Sequence, residues 1–320
     1  MAQHFLLSSQ AKSLSLAKVA RMSDEDAFDA FRCIRWAETE GKPVCPQCGC
    51  AKAYTYKARK IFKCKGCSKQ FSVTSGTIFA DRKLPIRDYL LAIAIFANGA
   101  KGYSMLQLSR DLGVSYKAAF VLAHKLRKAM AAEQQDAEPL SGHVEVDGGY
   151  FGGHIRPANH KENRIDRRRA RYQTGKRRVV VVMRERNGRT LPHVYRSEAA
   201  AVPHVAKHVD RNATLYADEA VHWDALHARF LTKRINHQQA YSTDDASTNQ
   251  AESYFSRLRR AEVGTHHHIS GKYLPAYALE MAWREDRRRV SNGEQFLSIT
   301  RAALVHPASD QWKGYWSKRA

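Results

Sequence analysis

Apolar positions change their period along this chain, and each change marks a different kind of element. Ser23-Asp24-Glu25-Asp26 opens a helical stretch, with a Ser N-cap and acids in the first turn. Ala27, Phe28, Phe31, Ile34 and Trp36 then share a face, which stops at Gly41-Lys42-Pro43. Residues 51–62 carry Tyr54, Tyr56, Ile61 and Phe62, which suit strands, and residues 71–79 read as a strand, a turn and a short strand. From residue 84 to 130 the period becomes helical. Pro85 suits a first turn, Tyr89, Leu90, Ile93, Ala94 and Ala97 make one face, and residues 99–102 end it at glycines. Residues 103–112, a turn at Gly113-Val114-Ser115 and residues 116–130 read as helix, turn and helix.

Residues 133–139 are acidic and polar, a predicted linker. Beyond them, residues 143–150 alternate like a strand, and Val179 to Val182 are apolar on both faces, as in a central strand. Asn187-Gly188 is a hairpin turn into residues 191–196. Helices are predicted at 200–209 and 219–230, strands at 213–217 and 233–237, and closing helices at 249–260 and 274–289. A strand meander followed by alternating helices and strands fits a mixed sheet covered by helices. The expected fold class is therefore α+β and multidomain. Its parts are an N-terminal segment with one helix (1–43), a small strand module (44–80), a helix-turn-helix (81–132), a linker (133–141), a mixed-sheet domain (142–290) and a C-terminal segment (291–320).

Composition narrows the partner. With 43% hydrophobic residues in 320, the chain has enough apolar surface for real cores. The longest apolar run, residues 89–97, is far short of the ~18 residues of a spanning helix, and no signal-peptide pattern opens the chain. No membrane partner is expected, and the cytoplasm is the predicted location. The net charge of +22 points to a polyanion, most directly nucleic acid. Lys117, Lys125, Arg127 and Lys128, with His124 among them, lie on the second helix of the helix-turn-helix, where a basic face would meet phosphates. Residues 156–178 hold ten Lys or Arg against Glu162 and Asp166, including Arg167, Arg168, Arg169, Arg177 and Arg178, a run expected to order on a nucleic-acid backbone.

Chemistry enters with the cysteines. Cys45-Pro-Gln-Cys48 and Cys64-Lys-Gly-Cys67 are separated by fifteen residues, a hairpin's length. Two such knuckles supply four thiolates to one tetrahedral zinc ion, and a filled four-ligand site is structural. Cys33 and Cys50 are spare. The expected module is a zinc ribbon with one structural Zn2+.

The carboxylates are less specific. Glu145 and Asp147 share a strand face, and Asp147 stands at the strand's end beside Gly148-Gly149. Asp218 follows the strand ending at Ala217, and Glu252 lies in the helix that opens near Asn249. Such a trio suits Mg2+, which prefers oxygen ligands. Taken singly, each acid is equally an ion-pair partner, since the chain has 31 of them.

Several longer motifs resemble bacterial insertion-sequence transposases of the IS1595 group. They are Cys45-Pro-Gln-Cys48-Gly49, Lys63 to Cys67, Gln70 to Phe79, Val144-Glu-Val-Asp147 with Tyr150-Phe-Gly-Gly153, Tyr216-Ala-Asp-Glu219, and Thr248 to Arg260 followed by Gly264 and His266 to Ser270. The resemblance runs in order from about residue 23 to residue 305. It implies an RNase H-like catalytic domain (the ISXO2-like transposase domain) whose acidic triad, of the DDE type, is Asp147, Asp218 and Glu252. It also implies two catalytic Mg2+ or Mn2+ ions, with Asn249 and Arg259 in support. Asn249 stands where it would position a metal or the third acid, or simply cap the helix. Arg259 replaces the more usual Lys, Gly148 stands where the family usually has an acid, and Ser247 where it often has His.

The implied activity is metal-dependent DNA cleavage and strand transfer at the terminal inverted repeats of an element. The expected partners are double-stranded DNA (element ends and target) and further copies of this chain on that DNA, at the nucleoid of a bacterium. Two alternatives stand beside it: a DNA-binding regulator with an idle triad, and an RNase H-like nuclease acting on branched DNA.

Overall fold

A computed structural model describes residues 5–135, 138–152, 160–164, 175–235 and 247–319. The chain divides into two compact units, Met1–Gln135 with Arg287–Ala320, and Asp136–Asp286.

In the first unit a short helix α1 (Leu16–Ala20) precedes α2 (Asp24–Arg35). The predicted start of α2 is a capping box: Ser23 Oγ accepts from Asp26 N at 3.0 Å, while Asp26 Oδ2 accepts from Ser23 N at 3.4 Å. Such caps contribute about 1 kcal/mol. Strands β1 (Ala53–Tyr56), β2 (Ile61–Cys64) and β3 (Gln70–Ser72) form an antiparallel sheet in that order. Phe62 pairs with Thr55 on one side and Phe71 on the other. Trp36, at the end of α2, sets its ring 5.5 Å from that of Phe62, which docks the helix on the sheet. The short second strand expected within residues 71–79 does not form. Ser75 Oγ accepts from Ser72 N at 2.9 Å, and Thr77 N and Ala80 N bond back to Thr74 O and Thr77 O. Hydroxyl side chains thus satisfy the backbone as turns, while Ile78 and Phe79 are still buried.

Three helices follow: α3 (Ile86–Asn98), α4 (Met105–Asp111) and α5 (Tyr116–Gln135). Ser104 and Ser115 cap α4 and α5, each accepting a backbone N–H at 3.2 Å, and Gly113 turns between them at φ +63°.

The second unit begins with β4 (His143–Phe151), followed by β5 (Arg178–Glu185), β6 (Thr190–Tyr195), α6 (Val202–His208), β7 (Thr214–Asp218), β8 (Leu231–Ile235), α7 (Asn249–Arg260) and α8 (Leu274–Asp286). Among the described residues five strands form one sheet in the order β6-β5-β4-β7-β8. The β6, β5 and β4 pairings are antiparallel, whereas β7 and β8 run parallel to β4. The α-helix expected over 219–230 is instead a 3-10 segment, Val221–Ala228. Arg234 of β8 donates to Ala220 O at 2.8 Å and pairs with Asp224, tying that segment to the sheet in place of a regular helical ladder.

One sheet face buries Val144, Val146, Val179, Val181, Leu215 and Ala217 against Val205 of α6 and Trp223 and Leu226 of the 3-10 segment. On the opposite face α7 packs on β4 and β5, and α8 packs on β6. Here the buried Arg184 pairs with Asp286 at 3.1 Å and Glu285 at 3.7 Å. After α8 the chain returns to the first unit, where α9 (Asn292–Val305) packs on α3 and α5. No helix among the described residues is long and apolar enough to cross a membrane.

Candidate functional site

The four cysteines converge as their spacing predicts. Their sulfurs lie within 4.8 Å of one another, with Cys45 and Cys67 at 3.7 Å and Cys48 and Cys64 at 3.5 Å. The β1–β2 hairpin brings the knuckles together, and Gly49 takes φ +72° to close the first. Cys64 Sγ accepts from Gly66 N at 3.2 Å and Cys67 N at 3.5 Å. Donation from the Cys67 N–H, against burial, brings its pKa down to about 6. A thiol held near its thiolate form in a four-sulfur cage fits zinc. Cys33 and Cys50 stay outside the cage.

The acidic residues are arranged by strand register. Val146 pairs with Ala217 in the last rung of the parallel β4–β7 ladder, so Asp147 and Asp218 each directly follow that rung on adjacent strands. Val144, Val146, Leu215 and Ala217 fill the core on one face, so Glu145, Asp147, Tyr216 and Asp218 belong to the other. Glu145 is the anchor of that face. Its Oε2 accepts from Gln250 N at 2.8 Å and Ala251 N at 3.0 Å, and its Oε1 accepts from Arg186 Nε at 3.0 Å. Arg186 in turn donates to Ser247 O at 3.1 Å. A buried carboxylate thus receives the first-turn amides of α7. One turn further along α7, Phe255 covers Gly149 so closely that a Cβ there would lie 2.5 Å from Phe255 Cε1. Glu252 lies between these two fastenings, on the helix that spans the Asp147 face.

Glu198 went unnoticed in the sequence. A Cβ on Gly148 would meet its Oε1 at 2.3 Å. Burial, then the charges of Asp218 and Asp147, push its pKa up to about 7, and His222 Nε2 lies 3.1 Å from its Oε2. The carboxylate beside Asp147 and Asp218 therefore comes from the connection after β6. Gly148, where an acid was expected, was the one sequence signal that something else fills this space. Asp147, Asp218 and Glu252 are not among the groups of three or more ligand atoms lying within 4.8 Å of one another.

Glu145→Ala should strip α7 of its cap and leave Arg186 without its buried partner, lowering stability by about 3 kcal/mol. Glu145→Gln, which keeps an acceptor, should cost less. The midpoint of urea unfolding followed by far-UV circular dichroism checks this, and equal midpoints for the two variants would refute the capping role.

Other predicted positions are distributed differently. Asn249 is the first residue of α7 with Thr248 at the N-cap, so it does not itself cap the helix. Arg259 is exposed, its guanidinium 5.7 Å from the Phe255 ring centre. Arg177 stacks over Tyr150 at 4.2 Å, and Arg178 donates to Gly175 O at 2.7 Å. Arg167, Arg168 and Arg169 lie outside the described residues. Lys117 is exposed, Lys125 is half-buried and Lys128 donates to Ser309 Oγ at 3.0 Å. Arg127 corrects the expectation of a uniformly basic outer face: it is fully buried, with its guanidinium 5.4 Å from the Phe96 ring centre. The 3.6-residue period places it on the inner face of α5.

Comparison with known proteins follows the same division. The transposase zinc-ribbon domain matches residues 22–70, and the ISXO2-like transposase domain matches residues 139–286. An uncharacterized protein in transposable element ISH50 of Halobacterium salinarum is 25% identical over 298 residues, covering 88% of this chain and 98% of its own length. The cysteine cage and the sheet carrying Asp147 and Asp218 fall within those two domains, and the chain belongs to the IS1595 family of transposases.

Proposed function

We propose that this chain is a DNA transposase whose second unit is an RNase H-like nuclease and strand transferase. The observation that supports the reading is the β4–β7 register, in which Asp147 and Asp218 each follow the Val146–Ala217 rung on adjacent strands, while Glu145 fastens the first turn of α7, the helix that carries Glu252. The strand order β6-β5-β4-β7-β8, with the first three antiparallel, supports the RNase H-like fold. After burial, the charges of Asp218 and Asp147 raise the Glu198 pKa, and a divalent cation bound nearby would relieve that repulsion. Bound Mg2+ or Mn2+ would stabilise the attacking and leaving oxygens of phosphodiester exchange.

Each residue then has a task. Asp147 and Asp218 hold the metal side of the site from adjacent strands. Glu252 approaches it from α7. Glu145 and Arg186 keep α7 seated, and Asn249 and Arg259, both exposed on that helix, would meet the DNA. The ribbon and the α4–α5 pair, as a helix-turn-helix, recognise element ends, with Lys117, Lys125 and Lys128 as phosphate partners. Strand transfer joins two ends, so more than one copy of the chain acts on the DNA.

The experiment is a nicking and strand-transfer assay on the protein's own element ends with Mg2+ or Mn2+. Binding without any nicking would overturn the proposal. Binding itself should weaken steeply with salt. Neutralising Arg167, Arg168 and Arg169 together should flatten the slope of log affinity against log salt by up to roughly 0.9 per lost phosphate contact. Fluorescence anisotropy across a salt series measures it, and an unchanged slope would remove this run from the DNA interface.

A further inference from the structure

We propose that His193, His204 and His208 form a second metal site, a three-imidazole clamp for a divalent transition ion such as Zn2+, which fastens α6 to the edge strand β6. His204 and His208 are separated by one helical turn and share a face of α6. His193 pairs across the ladder with Val181, whose side chain belongs to the core beneath α6, so its ring lies on that same face. The three rings gather closely, with centroids 3.7 Å apart for His193 and His204, 3.9 Å for His204 and His208, and 5.5 Å for His193 and His208. One nitrogen from each lies within 4.8 Å of the other two. Zn–N bonds of 2.0–2.1 Å in a tetrahedron set the nitrogens about 3.3 Å apart, so modest ring rotations close the site.

Two observations besides proximity point to a cation. His193 Nε2 and His204 Nε2 are buried with no hydrogen-bond partner, and the nearby Tyr195 hydroxyl shares that condition. Native interiors rarely leave such groups unsatisfied, and three in one cluster call for a shared partner. The second is the orientation of His208, whose Nδ1 lies 2.9 Å from His204 O. Donation from Nδ1 fixes the tautomer that leaves Nε2 a bare lone pair, the usual outer contact of a metal-bound imidazole. Imidazole ligands select Zn2+, Co2+, Ni2+ or Cu2+ over Mg2+.

The clamp would act through position. The segment between β6 and α6 carries Glu198, so an ion joining His193 to His204 and His208 would hold both ends of the connection that delivers this carboxylate beside Asp147 and Asp218. Three protein ligands leave a fourth position for water.

The test uses the full chain with its cysteine cage filled by zinc, in excess Mg2+ so that carboxylates do not compete. One equivalent of Co2+ should then bind and give visible d–d absorption without the near-ultraviolet thiolate-to-cobalt band of the cysteine cage. Total metal analysis should show two transition ions per wild-type chain and one in the double variant His193→Gln, His204→Gln. Added Zn2+ should raise the melting temperature of the wild type but not of the double variant. Failure of the wild type to take up a second ion would overturn the proposal, whatever the variant does. So would a second ion that persists in the double variant, because it would then reside on other groups.

Discussion

Replacing Asp147 or Asp218 by asparagine, or Glu252 by glutamine, should abolish DNA cleavage and strand transfer together while leaving DNA binding intact. An amide keeps the shape of the carboxyl and loses the charge that holds a divalent ion. Each single change should cost on the order of 10³-fold or more in rate, and the double and triple changes little beyond that, because residues acting as one unit are far from additive. Glu198→Gln belongs to the same experiment: its buried carboxyl feels the charges of Asp218 and Asp147, and its loss should also depress cleavage. Glu219 and Asp224 serve as nearby controls, and amides there should leave the rate within a few-fold. Glu145 is unsuitable as a control, since it holds the first turn of α7. Nicking by Asp218→Asn at the wild-type rate would refute the assignment of the triad.

The next largest effect should follow loss of a zinc ligand. Cys45→Ser should release the ion and unfold the β1–β3 module, because the binding free energy of such sites, about 10–16 kcal/mol, is largely folding free energy. The three strands are only 4, 4 and 3 residues long and have little core of their own beyond Phe62 and Phe71. Zinc content by atomic emission and limited proteolysis of the first unit measure the outcome. Native protein that contains no zinc would refute it.

The features legible in advance share a physical basis: they are local. Two Cys-x-x-Cys knuckles are each formed by a handful of consecutive residues, so spacing is sufficient evidence. Capping at Ser23 depends on residues three apart, and the hairpin at Asn187-Gly188 on a turn whose Asn takes φ +58°. Asp218 closes β7 where the apolar run ends, as expected, whereas Asp147, expected at a strand's end, lies mid-strand, because β4 continues through Gly148-Gly149 to Phe151 and pairs Asp147 with Val182. The longer motifs supplied what spacing lacked, selecting these acids from 31.

What escaped depended on contacts distant in sequence. Glu145 looked like an ordinary second acid on a strand, and its role follows from amides more than a hundred positions away. Arg127 belonged to a basic stripe in which burial, decided by neighbouring elements, set it apart from Lys117. Glu198 carried no periodic or spacing signal, and the four-residue spacing of His204 and His208 gave no sign that His193 would join them.

By itself, then, the chain's sequence determined most of its elements, its cysteine cage, its strong positive charge and its family. Each rests on short-range spacing, on total charge or on extended motifs. Tertiary structure alone decided which charges face solvent, which carboxylates share a space and which imidazoles meet. Periodicity specifies the apolar side of an element, but only the packing of other elements against it specifies what its polar groups touch.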